Sequence, residues 1–168
     1  TLFLDTGMRV SELCALDRSS VDIDDLSATV REGKGGKDRL VLFTESTVEA
    51  IEAYGMVRDQ IVSRHVPSDS HRDALILNRR GRRLTPRAVQ KLMDVLADAS
   101  DIPRSKLSPH TLRHNFATGL LEGGVDLVSI QRLLGHANIS TTRVYLEIGD
   151  QSLREIYHRA QQARREEE

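Results

Sequence analysis

The stretch GHANISTTRVY, residues 135–145, places His136 and Tyr145 nine positions apart, with small polar residues and one arginine between them. A tyrosine on a short helix most often packs against a core. Its phenol can also attack a phosphate and form a covalent phosphoester, which divides one hard step into two easier ones. That reaction requires cations and hydrogen-bond donors around the attacked phosphoryl group. The chemistry therefore directs attention to arginine, histidine and lysine elsewhere in the chain.

Two arginines lie in tight sequence settings. Arg9, in TGMRVSEL, lies between a turn glycine and a helix, and Arg113, in SPHTLRH, follows His110 by three positions. Residues three apart on a helix share a face, so His110 and Arg113 point the same way. A guanidinium grips phosphate oxygens through a planar fork of donors and stays charged. Two guanidiniums aimed at one point favour a phosphate, although a surface salt bridge explains either one alone.

Two other kinds of site do not fit the sequence. His110 and His114 have the spacing of a zinc-protease motif, but the residues between them provide no catalytic glutamate. The glycine-rich EGKGGKD has Arg31 where a phosphate loop needs glycine and Asp38 where it needs Ser or Thr. We therefore expect no metal and no cofactor. The glycine-rich stretch is then either a solvated turn or a hairpin tip that carries Lys34 to a phosphate.

Composition is that of an ordinary globular chain. Its 168 residues are 39% hydrophobic and 29% charged, with net charge −1. The single cysteine, Cys14, excludes an internal disulfide and fits a cytoplasmic location. From residue 71 to 114, ten Lys or Arg stand against four Asp, a local excess of 10 − 4 = +6. This basic segment is either a DNA-binding face or a solvated surface.

The patterns predict an α+β fold, mainly α-helical with a small three-stranded antiparallel sheet. SATVREGKGGKDRLVLF predicts a β-hairpin and ALILN, residues 74–78, a third strand, with VPSDSHRD as a loop. Thr44 or Ser46 is expected to cap a helix that ends near Arg64. Three further N-caps are predicted, two of them with proline at the first helical position: Thr85, Ser108 and Asp126.

The last part of the chain is also expected to be helical. Ser140 or Thr141 opens a short helix that carries Tyr145. Ser152 starts the final helix, which is expected to fray into RREEE. The chain starts with TLFLDTG, which has the pattern of the second half of a helix. We expect a single domain over residues 1–168, with a preceding portion missing.

In order along the chain, TGMRVSEL, GKGGKDR, SPHTLRHNFATGLLEGG and LLGHANISTTRVY resemble the successive motifs of the tyrosine recombinases. This family includes the phage integrases and the Xer enzymes. The resemblance extends over about residues 1 to 160 and is closest to the Xer type. It implies the DNA breaking-rejoining fold of that family. It also implies site-specific recombination through a covalent 3′-phosphotyrosine, without metal or ATP.

The resemblance implies a role for each matching residue. Tyr145 would be the nucleophile, and Arg9 and Arg113 would hold the non-bridging oxygens of the scissile phosphate. His136 would add a hydrogen bond to the same phosphate. Lys34, on its hairpin, would be the general acid for the departing 5′-oxygen.

Further residues have supporting roles in the same resemblance. His110 would assist proton transfer at the tyrosine, and Glu12 would support the cations of the active site. The candidate DNA contacts are Lys37, Arg39, Arg83, Arg87 and Lys91.

The implied partner is double-stranded DNA, with a tetramer on the DNA synapse and a monomer or weak oligomer without it. The family's N-terminal DNA-clamping domain is not in this sequence. Leu153, Ile156 and Tyr157 of the last helix would pack either on a neighbouring protomer or on their own domain. Two other functions remain open: DNA relaxation of the type IB topoisomerase kind, and a DNA-binding module that does not cleave.

Overall fold

The computed structural model describes residues 1–31, 38–135 and 150–167, and for the last helix the side chains of residues 154–162. Helices make up most of this part of the chain. Their bounds are α1 Leu2–Thr6, α2 Val10–Ala15, α3 Glu45–Arg64, α4 Asp69–Arg72, α5 Pro86–Ala99, α6 Pro109–Glu122, α7 Leu127–Leu134 and α8 Asp150–Glu167. None of these described helices is long and apolar enough to cross a bilayer.

Within the described residues, three short antiparallel strands form one sheet in the order β1–β2–β3. Their bounds are β1 Val21–Asp22, β2 Ser27–Val30 and β3 Arg39–Leu42. β2 and β3 are the two arms of the predicted hairpin, and they pair from Ser27 with Leu42 to Val30 with Arg39. The mainly helical fold with a small three-stranded antiparallel sheet is therefore confirmed.

The prediction that residues 74–78 form the third strand was wrong, because β1 takes that place. Ala74 and Leu77 make only isolated bridges. Side chains of α3 satisfy much of the backbone here. The Arg58 guanidinium donates to the carbonyl of Ala74 at 3.1 and 3.2 Å, and the Tyr54 hydroxyl bonds both the N–H and the C=O of Leu77. Buried backbone groups need partners, and two side chains supply what a neighbouring strand would have supplied.

Helices α5, α6 and α7 begin where the sequence predicted. The side-chain oxygens of Thr85, Ser108 and Asp126 each accept hydrogen bonds from backbone N–H groups in the first turn of α5, α6 and α7. Proline occupies the first position of α5 and of α6, where its missing N–H costs nothing. These local signals fix where α6 and α7 start, and so where Arg113 lies along its helix.

The predicted helix α3 also begins after Thr44 and ends at Arg64, but its N-terminus is satisfied by a distant residue. The carboxylate of Asp5 accepts from the N–H and hydroxyl of Thr44, at 3.0 and 2.6 Å, and from the hydroxyl of Thr47 at 2.9 Å. Negative charge is favourable at a helix N-terminus. Asp5 therefore joins α1 to the start of α3.

Two segments are more helical than the sequence predicted. The stretch expected to be a loop, VPSDSHRD, contains α4, a single turn over Asp69–Arg72. The last helix begins at Asp150, two residues before Ser152, and continues to Glu167 through the residues expected to fray. Arg, Gln and Glu are strong helix formers, which accounts for the longer helix.

Two groups of buried side chains lie on either side of the sheet. One lies between α1, α2, the sheet and α5 and includes Phe3, Met8, Leu13, Val30, Phe43, Val89 and Met93. The other lies among α6, α7 and α8 and includes Phe116, Leu120, Ile130, Leu133, Tyr157 and Ala160. Tyr157 is fully buried, and its hydroxyl donates to the carbonyl of Asp5 at 2.9 Å. Hence α8 packs on its own chain, with Ile156 at the edge of the second group.

Candidate active site

Arg9 lies at the N-cap position of α2, directly after the turn that ends α1. Its backbone N–H donates to Oε2 of Glu12 at 2.6 Å, and its Nη1 donates to Oε1 at 2.7 Å. One carboxylate therefore satisfies the start of the helix and holds the guanidinium beside it. The Arg9 side chain remains 45% exposed, so its charge is fixed in place yet accessible.

Arg113 lies in the middle of α6 and bridges two other segments. Its Nη1 donates to the carbonyl of Gly7 at 2.6 Å, and its Nη2 donates to the carbonyl of Leu134 at 2.8 Å. Gly7 has a φ of 55° and ends α1, and a Cβ there would lie 2.3 Å from Cδ1 of Phe116. Glycine is thus required for the turn to approach α6 closely enough to meet Arg113.

Glu12 lies between two guanidiniums. Besides Arg9, it receives Arg39, whose Nη1 donates to Oε1 at 3.0 Å and whose Nη2 donates to Oε2 at 2.6 Å. Burial raises the pKa of Glu12, but hydrogen bonds and charge from Arg39 and Arg9 outweigh it, so the pKa is lowered overall. The carboxylate is therefore ionised at neutral pH, and it stabilises both cations.

The arginine cluster, defined as Arg9, Arg39, Arg113 and Glu12, carries three positive charges and one negative, 3 − 1 = +2. Burial lowers the pKa of the Arg113 guanidinium; the charges of Arg9 and Arg39 lower it further, and Glu12 opposes them. A guanidinium still stays protonated in proteins. The cluster is therefore a half-buried, fixed concentration of positive charge that suits a phosphate.

The C-terminal end of α7 completes this arrangement. Arg39 Nε donates to the carbonyl of Leu133 at 3.4 Å, Arg113 reaches that of Leu134, and Arg9 Nη2 reaches that of Gly135 at 3.5 Å. Helices leave their last carbonyls without intrahelical donors and carry partial negative charge there. Three arginines supply the donors. Gly135, the residue before His136, is thereby held against Arg9 and Arg39.

The structure brings together Arg9, Glu12 and Arg113 among the predicted site residues. His110 is the second residue of α6 and is exposed, on the same helix as Arg113. Lys34, Lys37, His136 and Tyr145 lie outside the described residues. Among the residues that are described, no group of three His, Cys, Asp or Glu side chains could hold a metal ion.

Two of the predicted DNA contacts have intramolecular partners. Arg39 is only 10% exposed and belongs to the arginine cluster. Arg83 donates from Nη1 to the carbonyls of Cys14, Ala15 and Leu16, and it forms an ion pair with Asp17. Arg83 therefore satisfies the C-terminal carbonyls of α2.

The other candidates, Arg87 and Lys91, are exposed on α5. Sequence reasoning missed the contribution of Gly7, Gly135 and the end of α7. The glycine directly after the α7 pattern was the available signal, because glycine favours the left-handed conformation at a helix end.

A protein-family model described as the phage integrase family matches residues 1–152. The chain belongs to this family. The match confirms the resemblance that the four motifs indicated. The chain is similar to Xer recombinases: it is 43% identical over 155 residues to tyrosine recombinase XerC of Myxococcus xanthus, covering 92% of this chain and 50% of that protein.

XerA recombinases are similar to this chain as well. Tyrosine recombinase XerA of Thermococcus onnurineus is 40% identical over 161 residues, which cover 95% of this chain and 53% of that protein. A crystal structure of XerA recombinase matches 94% of this chain and 54% of its own, with a TM-score of 0.72 and 36% identity.

XerH bound to its difH substrate, before cleavage, matches 97% of this chain and 42% of its own, with a TM-score of 0.67 and 26% identity. The chain thus spans about half the length of the relatives it matches.

Proposed function

We propose that residues 1–168 are the catalytic domain of a site-specific DNA recombinase that cleaves and rejoins DNA strands through a 3′-phosphotyrosine. The observation that carries the proposal is the arginine cluster, which gathers a formal charge of +2 beside Gly135, the residue between the end of α7 and His136. Membership of the phage integrase family and similarity to Xer recombinases support it. Double-stranded DNA is the proposed substrate; XerH is described as bound to its difH substrate.

The arginine cluster suits the transition state of this reaction. When a nucleophile attacks a phosphodiester, negative charge grows on the non-bridging oxygens. Arg9 and Arg113 are already oriented by Glu12 and by backbone carbonyls, so little reorganisation is needed as that charge develops. Each guanidinium offers five N–H donors in a fixed plane, so it can bind a phosphate oxygen while keeping its protein contacts.

The remaining steps fall to residues that the sequence assigns. Tyr145 Oη forms a bond to phosphorus while the bond from phosphorus to the 5′-oxygen breaks. His110 assists removal of the tyrosine proton, His136 hydrogen-bonds the phosphate, and Lys34 donates a proton to the 5′-oxygen. Rejoining is the reverse reaction with a 5′-hydroxyl as nucleophile. The phosphotyrosine conserves the energy of the original bond, so no ATP, metal or other cofactor enters the scheme.

The assembly and location are part of the same proposal. The DNA-free form is a single chain or weak oligomer in the cytoplasm, with α8 packed on its own domain, and four chains form the synapse on DNA. Exposed Arg87 and Lys91 on α5 contribute to DNA binding. Since phosphate contacts release counterions, binding should weaken steeply with salt.

The test is capture of the covalent intermediate. The chain is incubated at low salt with a pool of randomised, end-labelled duplexes that carry nicks, so that cleavage near a nick releases a short fragment and prevents rejoining. We expect an SDS-resistant, protease-sensitive adduct that survives EDTA, and sequencing of the captured DNA should reveal a shared site.

Tyr145→Phe should abolish the adduct, while Tyr54→Phe should retain it because the Tyr54 hydroxyl bonds the backbone of Leu77, which is not part of the arginine cluster. An adduct that persists in Tyr145→Phe would show that another residue is the nucleophile. Adducts without a shared sequence, with relaxation of supercoiled plasmid, would indicate topoisomerase-like activity. DNA binding with no adduct would indicate a module that does not cleave.

A further inference from the structure

We propose that Arg39 is a positioning residue. It holds Glu12 and the C-terminal end of α7 in fixed positions relative to each other, so that Arg9 is correctly oriented for the phosphate. The inference rests on the proposed function, because it concerns the same site. It replaces the groove-contact role that residue type alone suggested for Arg39.

Arg39 grips Glu12 through two parallel hydrogen bonds, from Nη1 at 3.0 Å and from Nη2 at 2.6 Å. Each side chain of the pair is 10% exposed. A planar guanidinium fixes both the position and the plane of a carboxylate, which a lysine ammonium cannot do. Glu12 in turn accepts one bond from the backbone N–H of Arg9 and one from Arg9 Nη1, so the position that Arg39 imposes on the carboxylate also determines where the Arg9 side chain is held.

The same side chain supports the end of α7. Nε of Arg39 donates to the carbonyl of Leu133, and the Arg39 side chain lies directly against Gly135. A Cβ on Gly135 would be 2.7 Å from Cδ, 2.8 Å from Nε and 2.9 Å from Cζ of Arg39. Glycine at this position, where φ is 68°, therefore lets the helix end and the guanidinium touch.

Arg39 thus connects three segments that are far apart in the sequence. It is the first residue of β3 and pairs with Val30, the last residue of β2, while Glu12 lies in α2 and Leu133 in α7. A displacement of about 1 Å at a catalytic group can cost on the order of 10²-fold in rate. Loss of this connection should therefore affect the chemical step more than DNA binding.

The first experiment follows adduct formation under single-turnover conditions over a range of DNA concentrations, using duplexes recovered from the capture described above. For Arg39→Ala we expect the rate at saturating DNA to fall on the order of 10²-fold, with the apparent Kd changed by less than about threefold. Arg39→Lys should remain impaired, because it restores charge without the fork. Arg64→Ala, which removes an exposed arginine at the end of α3, is the matched control.

Other outcomes would overturn the inference. If Arg39 contacted the DNA groove instead, Arg39→Ala would raise the Kd and reduce the slope of log K against log salt by about one, and the rate at saturating DNA would be unchanged. Rescue by Arg39→Lys would show that charge alone suffices. If Arg39→Ala formed the adduct at the rate of the original chain, with an unchanged Kd, Arg39 would have no role at the site.

A double-mutant cycle tests the contact with Gly135. Gly135→Ala should slow adduct formation in both backgrounds, because φ is 68° at this position, but by less when Arg39 is already alanine, because the added methyl then no longer meets the Arg39 side chain. Equal effects in both backgrounds would contradict the contact.

A final measurement needs neither DNA nor activity. Carbon-detected NMR titration of the Glu12 carboxyl should show its pKa rising in Arg39→Ala and in Arg39→Lys, with no change in Arg64→Ala. A Glu12 pKa that does not move in folded Arg39→Ala would overturn the inference even if the chain formed no DNA adduct. If the pKa of Glu12 rose in Arg39→Ala but the original chain formed no adduct, the result would count against the proposed function alone.

Discussion

Two regions of this chain concentrate positive charge in opposite ways. The arginine cluster is half-buried, with its guanidiniums fixed by one carboxylate and by the carbonyls at the end of α7. The exposed basic face, defined as Arg79, Arg80, Arg82, Arg87 and Lys91, projects into solvent from the turn before α5 and from α5 itself. Charge that is fixed in a poorly hydrated place stabilises a transition state, whereas exposed charge attracts DNA and is screened by salt.

The largest effect is expected from Arg113→Ala, which removes one guanidinium of the arginine cluster. Removing the guanidinium takes away donors to the phosphate and leaves the carbonyls of Gly7 and Leu134 without this partner. We expect adduct formation at saturating DNA to fall about 10²–10³-fold, by analogy with the loss of an oxyanion donor. Single-turnover gels measure the rate, and a thermal melt checks that the variant is folded. A loss that vanished at high DNA concentration would show that Arg113 acts in binding.

Glu12→Gln removes the charge that holds the cluster together. We expect about 2 kcal/mol less free energy of unfolding at neutral pH, because two half-buried guanidiniums lose their shared counter-charge. Folding lowers the pKa of Glu12 below its ordinary value of 4.5, so its stabilisation is present above that pH and is lost as pH falls through the lowered value. Denaturant titrations should therefore show the difference between the two proteins shrinking below about pH 4.5. A constant difference would contradict the ion pairing.

Substitutions on the exposed basic face should behave differently. Arg87→Ala and Lys91→Ala should each weaken DNA binding several-fold and reduce the slope of log K against log salt by about one, the signature of a lost phosphate contact. The rate of adduct formation at saturating DNA should stay unchanged. Filter binding at several salt concentrations measures the slope. An unchanged slope would remove that residue from the DNA interface.

The smallest effect is expected from Asp98→Asn. Asp98, like Glu12, receives two hydrogen bonds from one arginine, at 2.9 and 2.6 Å from Arg104. The hydrogen bond from Arg104 lowers the pKa of Asp98, but both side chains are more than half exposed. We expect no measurable change in the unfolding midpoint, because water competes for exposed ion pairs. A destabilisation equal to that of Glu12→Gln would show that burial is not what distinguishes the two pairs.

The parts of the fold predicted from sequence were those with local causes. Thr85, Ser108 and Asp126 each cap a helix whose N–H groups lie within three residues, and the hairpin arms are close together in the sequence. Residues 74–78 were mispredicted as the third strand because the partners of their backbone groups, Arg58 and Tyr54, are side chains of α3. No local pattern in the segment itself indicates such partners.

The site shows the same division. The resemblance implied that Glu12 supports the cations of the active site, and the contact of Glu12 with Arg9 spans only three positions. Arg39 and Arg83 looked like exposed cations because residue type does not reveal burial. Their partners, the end of α7 and the end of α2, come from segments 94 and 67–69 positions away. Only the folded chain distinguishes these arginines from Arg87.

The contacts of Arg9 and Arg113 with the end of α7 also affect the order in which the site can form. Arg9 meets a carbonyl 126 positions further along the chain, and Tyr157 meets Asp5 across 152 positions. Contacts of such long range form late in folding, after the entropy of closing the intervening chain has been overcome. During synthesis, the arginine cluster lacks the carbonyls of Leu133, Leu134 and Gly135 as acceptors until residue 135 has emerged. The guanidiniums of Arg9, Arg39 and Arg113 are therefore fully held in place only after α7 has been synthesised and has folded.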